Sequence, residues 1–205
     1  TYILTCTTNT GDKTNIHGLY IGRERREFEK AVAQSQKLNL IHMDKPFQKV
    51  VVYLDPREFK STWLGNKSIY RTRMAIADGG ELIVLAPGVD KFGEDPENDR
   101  LIRKYGYCGR EKVLELVDRP ECGDLRENLS VAAHLIHGSS DGRFHITYCT
   151  THLTGDEVRG VCFGYMPYEE ASKKYDPAVL TDGYHEIDGE EIFYISNPAL
   201  GLWSM

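Results

Sequence analysis

Short, nearly unbroken apolar runs alternate along this chain with stretches of mixed polarity, and the two patterns predict strands and helices in turn. Residues 50–54 (VVVYL) and 81–86 (ELIVLA) carry almost no polar side chain, the mark of strands buried on both faces. Residues 1–8 (TYILTCTT), 144–149 (FHITYC), 160–164 (GVCFG) and 191–196 (EIFYIS) are short and rich in β-branched or aromatic residues, and read as further strands. A helix is expected over 25–37, with Phe28, Ala31, Val32 and Ala33 as its apolar positions. Two helical pieces over 100–105 and 110–118 are separated by Gly106. Asp124 can cap a helix over 124–137, and Pro167 precedes a short one over 168–174. Asn66 is placed to cap a helix over 68–76. Residues 9–17, 55–65 and 88–98 read as loops, and 78–80 and 139–142 as turns.

Strands alternating with helices at these spacings predict an α/β fold, with a largely parallel sheet and helices on both faces in three layers. One α/β domain is expected over 1–205. Ligands in such sheets sit beyond the carboxyl ends of the strands. Here those ends are 55–65, 87–93 and 150–154.

Composition narrows the class. The 205 residues are 40% hydrophobic and 27% charged, which favours a folded core over disorder. A net charge of -6 argues against non-specific nucleic-acid binding, which needs basic surface. No apolar run approaches the ~18 residues of a membrane span, and no signal-peptide pattern opens the chain. No nucleic-acid or membrane partner is therefore expected. The five cysteines, Cys6, Cys108, Cys122, Cys149 and Cys162, are odd in number and form no C-x-x-C pair. That pattern fits a reducing, cytoplasmic compartment better than a disulfide or zinc scaffold.

Residues 60–73 (KSTWLGNKSIYRTR) gather cations around one loop and helix start. On the expected helix Lys67, Arg71 and Met74 share a face. Such a segment can bind a carboxylate or phosphate, with Arg71 able to grip it at two points. The alternative is a solvated basic helix face. His134, His137, His145 and His152 lack metal-ligand spacing, so no metal site is assigned. Residues 88–99 (GVDKFGEDPEND) depart from a calcium-loop pattern and read as a solvent loop. No Gly-rich nucleotide fingerprint and no G-x-S-x-G elbow occurs, so the catalytic residues stay unassigned.

Two stretches nevertheless resemble a known family. The run FEKAVAQSQKLNLIHMDKPFQKVVVYLDP followed by NKSIYRTRMAIADGGELIVLAPG resembles the C-terminal domain of the lactate racemase family, the nickel-pincer-nucleotide enzymes. The later HITYCTTHLTGDEVRGVCFGYMPYEEASKKY is similar to the closing section of that domain, so the resemblance covers about 18–175. It implies the C-terminal, substrate-facing domain of a two-domain isomerase that moves the α-hydride of a 2-hydroxy acid to a nickel-pincer cofactor and returns it to the opposite face. The cofactor would be held mainly by an N-terminal domain, none of it by this fragment, which alone would be inactive. The implied partners are that N-terminal domain and a small-molecule hydroxy acid or sugar acid.

In the family motif Y-Q-A-x-K, Tyr70 matches, while the Gln and Lys fall on Arg71 and Met74. These changes suit a larger or more acidic substrate than lactate. Relatives loosely named mannonate oxidoreductase point toward sugar acids too. Tyr70, Arg71, Lys67 and Arg73 are the expected substrate-binding residues. Two alternatives stand beside the racemase: a sugar-acid (mannonate-type) oxidoreductase domain, and a non-catalytic anion-binding domain.

Overall fold

The structure is a computed structural model that describes residues 1–10 and 13–205. Its centre is a six-stranded, largely parallel sheet, in keeping with the α/β pattern; its strand Gly183–Ile187 was not predicted from the sequence. β-branched and aromatic residues that present both faces to protein form strands buried on two sides. In chain order the elements are β1 (Tyr2–Thr10), β2 (Lys13–Gly22), α1 (Arg25–Asn39), β3 (Leu40–His42), β4 (Phe47–Tyr53), α2 (Thr62–Gly65), α3 (Lys67–Tyr70) and β5 (Ile76–Ala86). They continue as α4 (Pro96–Tyr105), α5 (Arg110–Asp118), α6 (Gly123–Glu127), α7 (Leu129–His137), β6 (His145–Thr150), α8 (Gly155–Gly160), β7 (Gly164–Pro167), α9 (Tyr168–Lys174), β8 (Gly183–Ile187), β9 (Glu190–Ile195) and β10 (Leu202–Ser204).

The sheet runs β7-β6-β5-β4-β9-β8, parallel throughout except for the antiparallel β8–β9 pair. One face carries the larger core: Val50, Val52 and Leu54 of the β4 segment pack with Ile69, Leu101, Val113, Leu135 and Val158 from the helices. The other face is covered by α9, where Val51, Ile83 and Tyr194 meet Ala171 and Tyr175. Helices on both faces give the expected three layers.

Several expectations are corrected in detail. The N-terminal strand does not join the main sheet. It pairs with β2 as an antiparallel hairpin, so residues 9, 10 and 13–17 are strand and not loop; positions 11 and 12 lie outside the described residues. The expected helix 68–76 stops at Tyr70. Thr72 is fully buried, its hydroxyl donates to the Ser68 carbonyl at 2.6 Å, and the chain must straighten by Ile76 to enter β5. Asn66 does not cap, because its side-chain oxygen accepts the Tyr148 hydroxyl at 2.6 Å.

Residues 78–80 lie within β5, where the pairing register shifts and Gly79 sits at φ 78°, a conformation glycine adopts without penalty. The helix expected over 124–137 is split at Asn128, whose side chain accepts from the Val131 N–H and starts α7. Asp124 does not cap it; its carboxylate pairs with Lys104 and Arg100. Residues 161–163 belong to the turn after α8, and strand pairing begins at Gly164. Asp95 caps α4, so the loop expected over 88–98 ends early, at Pro96. No helix among the described residues is long and apolar enough to cross a membrane.

Candidate functional site

The carboxyl ends of the parallel strands are closed by their own loops. The Asp90 N–H donates to the Lys60 carbonyl at 3.0 Å, and the N–H groups of Thr62 and Trp63 donate to the carbonyls of Lys91 and Phe92. Gly88 lies so close over Pro56 that a Cβ there would fall 2.5 Å from the proline Cα. Asp55 is held by Arg57 at 2.6 Å. These loops zip to one another.

The basic segment occupies a different place. Tyr70 ends α3 and Arg71 caps it, at φ -87° and ψ -22°. The Arg71 carbonyl accepts from the Trp203 N–H at 2.9 Å, and its Nη1 donates to the Gly201 carbonyl at 3.4 Å. The C-terminal strand thus anchors this residue. Burial raises the Tyr70 phenol above its ordinary range, opposed by the charge and hydrogen bond of the adjacent Arg71 guanidinium.

Arg71 lines a cleft of about 470 Å³ between the main body and the N-terminal hairpin. The opposite walls bring Thr7, Thr8 and Asn9 from β1, and Ser35 and Asn39 from α1. Arg71 is the sole charged side chain among the lining residues, so the cleft offers one cation amid hydroxyls and amides. Such a set can receive a carboxylate on the guanidinium fork and hydroxyl groups around it.

The other expected residues diverge from this point. Lys67 sits on α3 one turn before Arg71, with its ammonium 5.9 Å from the Phe59 ring centroid. Arg73 turns away and pairs with Asp141 at 3.0 Å. Burial works to raise the Asp141 carboxyl, but the Arg110 N–H, the Ser139 hydroxyl and Arg73 together hold it below the usual carboxylate range. Of the four expected residues Arg71 alone lines the cleft; Tyr70 is its chain neighbour, Lys67 turns to the Phe59 ring and Arg73 to Asp141.

The polar wall of the cleft was not singled out in the sequence. Thr7, Thr8 and Asn9 read only as the end of a strand and the start of a loop, Ser35 as a polar position of the helix expected over 25–37, and Asn39 lay beyond that helix, which in the structure runs on to include it. The one available signal was the run of hydroxyl and amide residues closing a β-branched strand.

The histidines do not converge. His134 stacks on Trp63 with ring centroids 4.2 Å apart, and its Nε2 lies 3.1 Å from the Tyr107 hydroxyl. Burial, with the positive charge of His137 nearby, lowers its pKa to about 4. Among the described residues no three His, Cys, Asp or Glu side chains gather as a metal site. The acidic loop is used structurally: Asp99 accepts from the N–H groups of Phe92 and Gly93 and pairs with Arg103 at 2.6 Å.

No family model and no curated protein matches the chain. Several solved structures share its fold, among them the following two. One is a structural-genomics crystal structure of a protein from Thermotoga maritima, 22% identical, with a TM-score of 0.67 over 97% of this chain and 47% of the other. The second is the lactate racemase apoprotein from Thermoanaerobacterium thermosaccharolyticum, 14% identical, with a TM-score of 0.63 over 93% of this chain and 43% of that one. The chain thus spans about half the length of the structures it matches, and what it shares with them is the fold.

Proposed function

We propose that this chain is the substrate-facing domain of a 2-hydroxy-acid racemase or epimerase, and that Arg71 holds the substrate carboxylate. The observation that carries the proposal is a polar cleft with one cation, set in a fold similar to that of a lactate racemase apoprotein over 93% of this chain. An arginine fork meets a carboxylate through two parallel N–H···O bonds. Tyr70 steadies the guanidinium, and Lys67 adds positive potential one helical turn away. The five hydroxyl and amide side chains around Arg71 can hydrogen-bond several substrate hydroxyls, which favours a polyhydroxylated acid over lactate. Arg73, tied to Asp141, contributes by fixing the end of the segment.

No metal-binding cluster gathers among the described residues, and Cys6, Cys122 and Cys149 are buried. In this proposal the redox group belongs to a further domain, and this chain binds and orients the acid. Calorimetric titration of the full-length protein with gluconate and with lactate tests the assignment. Binding is expected for the native protein and weakened in Arg71→Ala; unchanged binding in the variant removes Arg71 from the site.

A further inference from the structure

The N-terminal hairpin has two faces of opposite character. Its inner face packs on α1: the Cys6 thiol donates to the Ala31 carbonyl at 3.1 Å, and the rings of Tyr2 and Phe28 lie 6.2 Å apart. Its outer face is built from the cross-strand pairs Ile3–Ile21, Thr5–Leu19 and Thr7–Ile16. Directly paired residues share a face. The register shifts between Cys6 and Thr7, so His17 is the extra residue of β2. Without that bulge Ile16 would fall on the inner face; with it, Ile16 joins Leu19 and Ile21 outside.

None of these six side chains is charged. Ile3 is 71% exposed, Ile16 70%, and Leu19 and Ile21 59% each. A two-stranded hairpin is marginally stable on its own, and a contiguous aliphatic face of this kind on a folded protein marks a binding surface. Thr7 belongs to the same face and also lines the Arg71 cleft, so the apolar surface runs into the rim of the candidate site.

We propose that this outer face is the seat of the other part of a longer chain, an uncharged apolar sheet or helix face whose docking closes the Arg71 cleft. The proposal rests on the reading of this chain as one domain of a two-domain enzyme. Two observations choose that occupant: the matched structures have chains about twice as long as the part this chain spans, and Thr7, at the end of that face, is also a lining residue of the cleft.

Hydroxyl-radical footprinting of the full-length gene product reads the side chains directly and needs no substrate. Leu129, at 61% exposure, serves as the reference for Leu19. Labelling of Leu19, Ile16 and Ile21 several-fold below that of Leu129, and independent of protein concentration, is the expected result. Labelling equal to Leu129 overturns the proposal. Protection that appears only as concentration rises overturns it as well, because it assigns the face to a second copy. A protected face in a protein that binds no hydroxy acid would sink the racemase assignment alone and leave the docking surface standing.

Discussion

Arg71 and His134 show what single side chains contribute. A hydrogen bond to a charged group is worth about 1.5–3 kcal/mol, or roughly 10- to 150-fold in Kd. Arg71→Ala is therefore expected to weaken gluconate binding to the full-length protein by about that factor, with Arg71→Lys intermediate because a point charge replaces the fork. Calorimetry of the two variants checks the order. His134 is held neutral by burial, with a pKa near 4 against the ordinary 6.5. The unfolded chain takes up the proton first as pH falls. Stability tied to the neutral imidazole is thus intact above pH 6.5 and declines between pH 6.5 and 4, by up to about 3 kcal/mol. Urea denaturation at pH 7 and 4.5 is expected to show this loss, and His134→Gln to remove most of the pH dependence while lowering stability at pH 7. An equal pH response in the variant would show that other groups govern it.

Among the elements, what the sequence showed depended on burial. The runs at 50–54 and 81–86 were legible because strands covered on both sides tolerate almost no polar residue. The α9 boundaries were legible because Pro167 fixes its start. The hairpin was missed because a strand packed on one side only, with a bulge at His17, breaks the period-2 alternation. The short α3 was overextended because Arg71 and Arg73 suit a helix locally, while the buried Thr72 and the entry into β5 end it. For the same reason Arg73 looked like a neighbour of Arg71 and lies instead on Asp141. Arg71 itself was legible as a cation in a basic segment; the cleft around it was not, because its other wall comes from residues 7–9 and 35–39, distant in sequence. The split at Asn128 yields a prediction at this scale. Removing an N-cap costs about 1 kcal/mol, so Asn128→Ala is expected to lower the thermal midpoint by a few degrees. An unchanged midpoint would show that α7 does not depend on its cap.

At the scale of the molecule, the sheet and its larger core form the platform, and the hairpin packs on α1, which leads into the separate β3–β10 pair. Leu54, fully buried just after β4, lies against Gly65, where a Cβ would fall 2.9 Å from its Cδ1. Leu54→Ala removes a side chain from the platform and is expected to cost about 2–5 kcal/mol, read as a shift of the urea midpoint. The cleft lies between platform and hairpin, so a domain seated on the hairpin would set how far it opens.

The central claim is that this fold serves the inversion of a 2-hydroxy acid, and one isotope measurement tests it most directly. The full-length protein, supplied with nickel-pincer nucleotide, is given a sugar acid carrying deuterium at C2, in ordinary water. Epimerised product that keeps the deuterium at C2 is the predicted result, since the hydrogen leaves and returns within one turnover. Deuterium transferred to a nicotinamide cofactor, or no epimerised product at all, would contradict the claim.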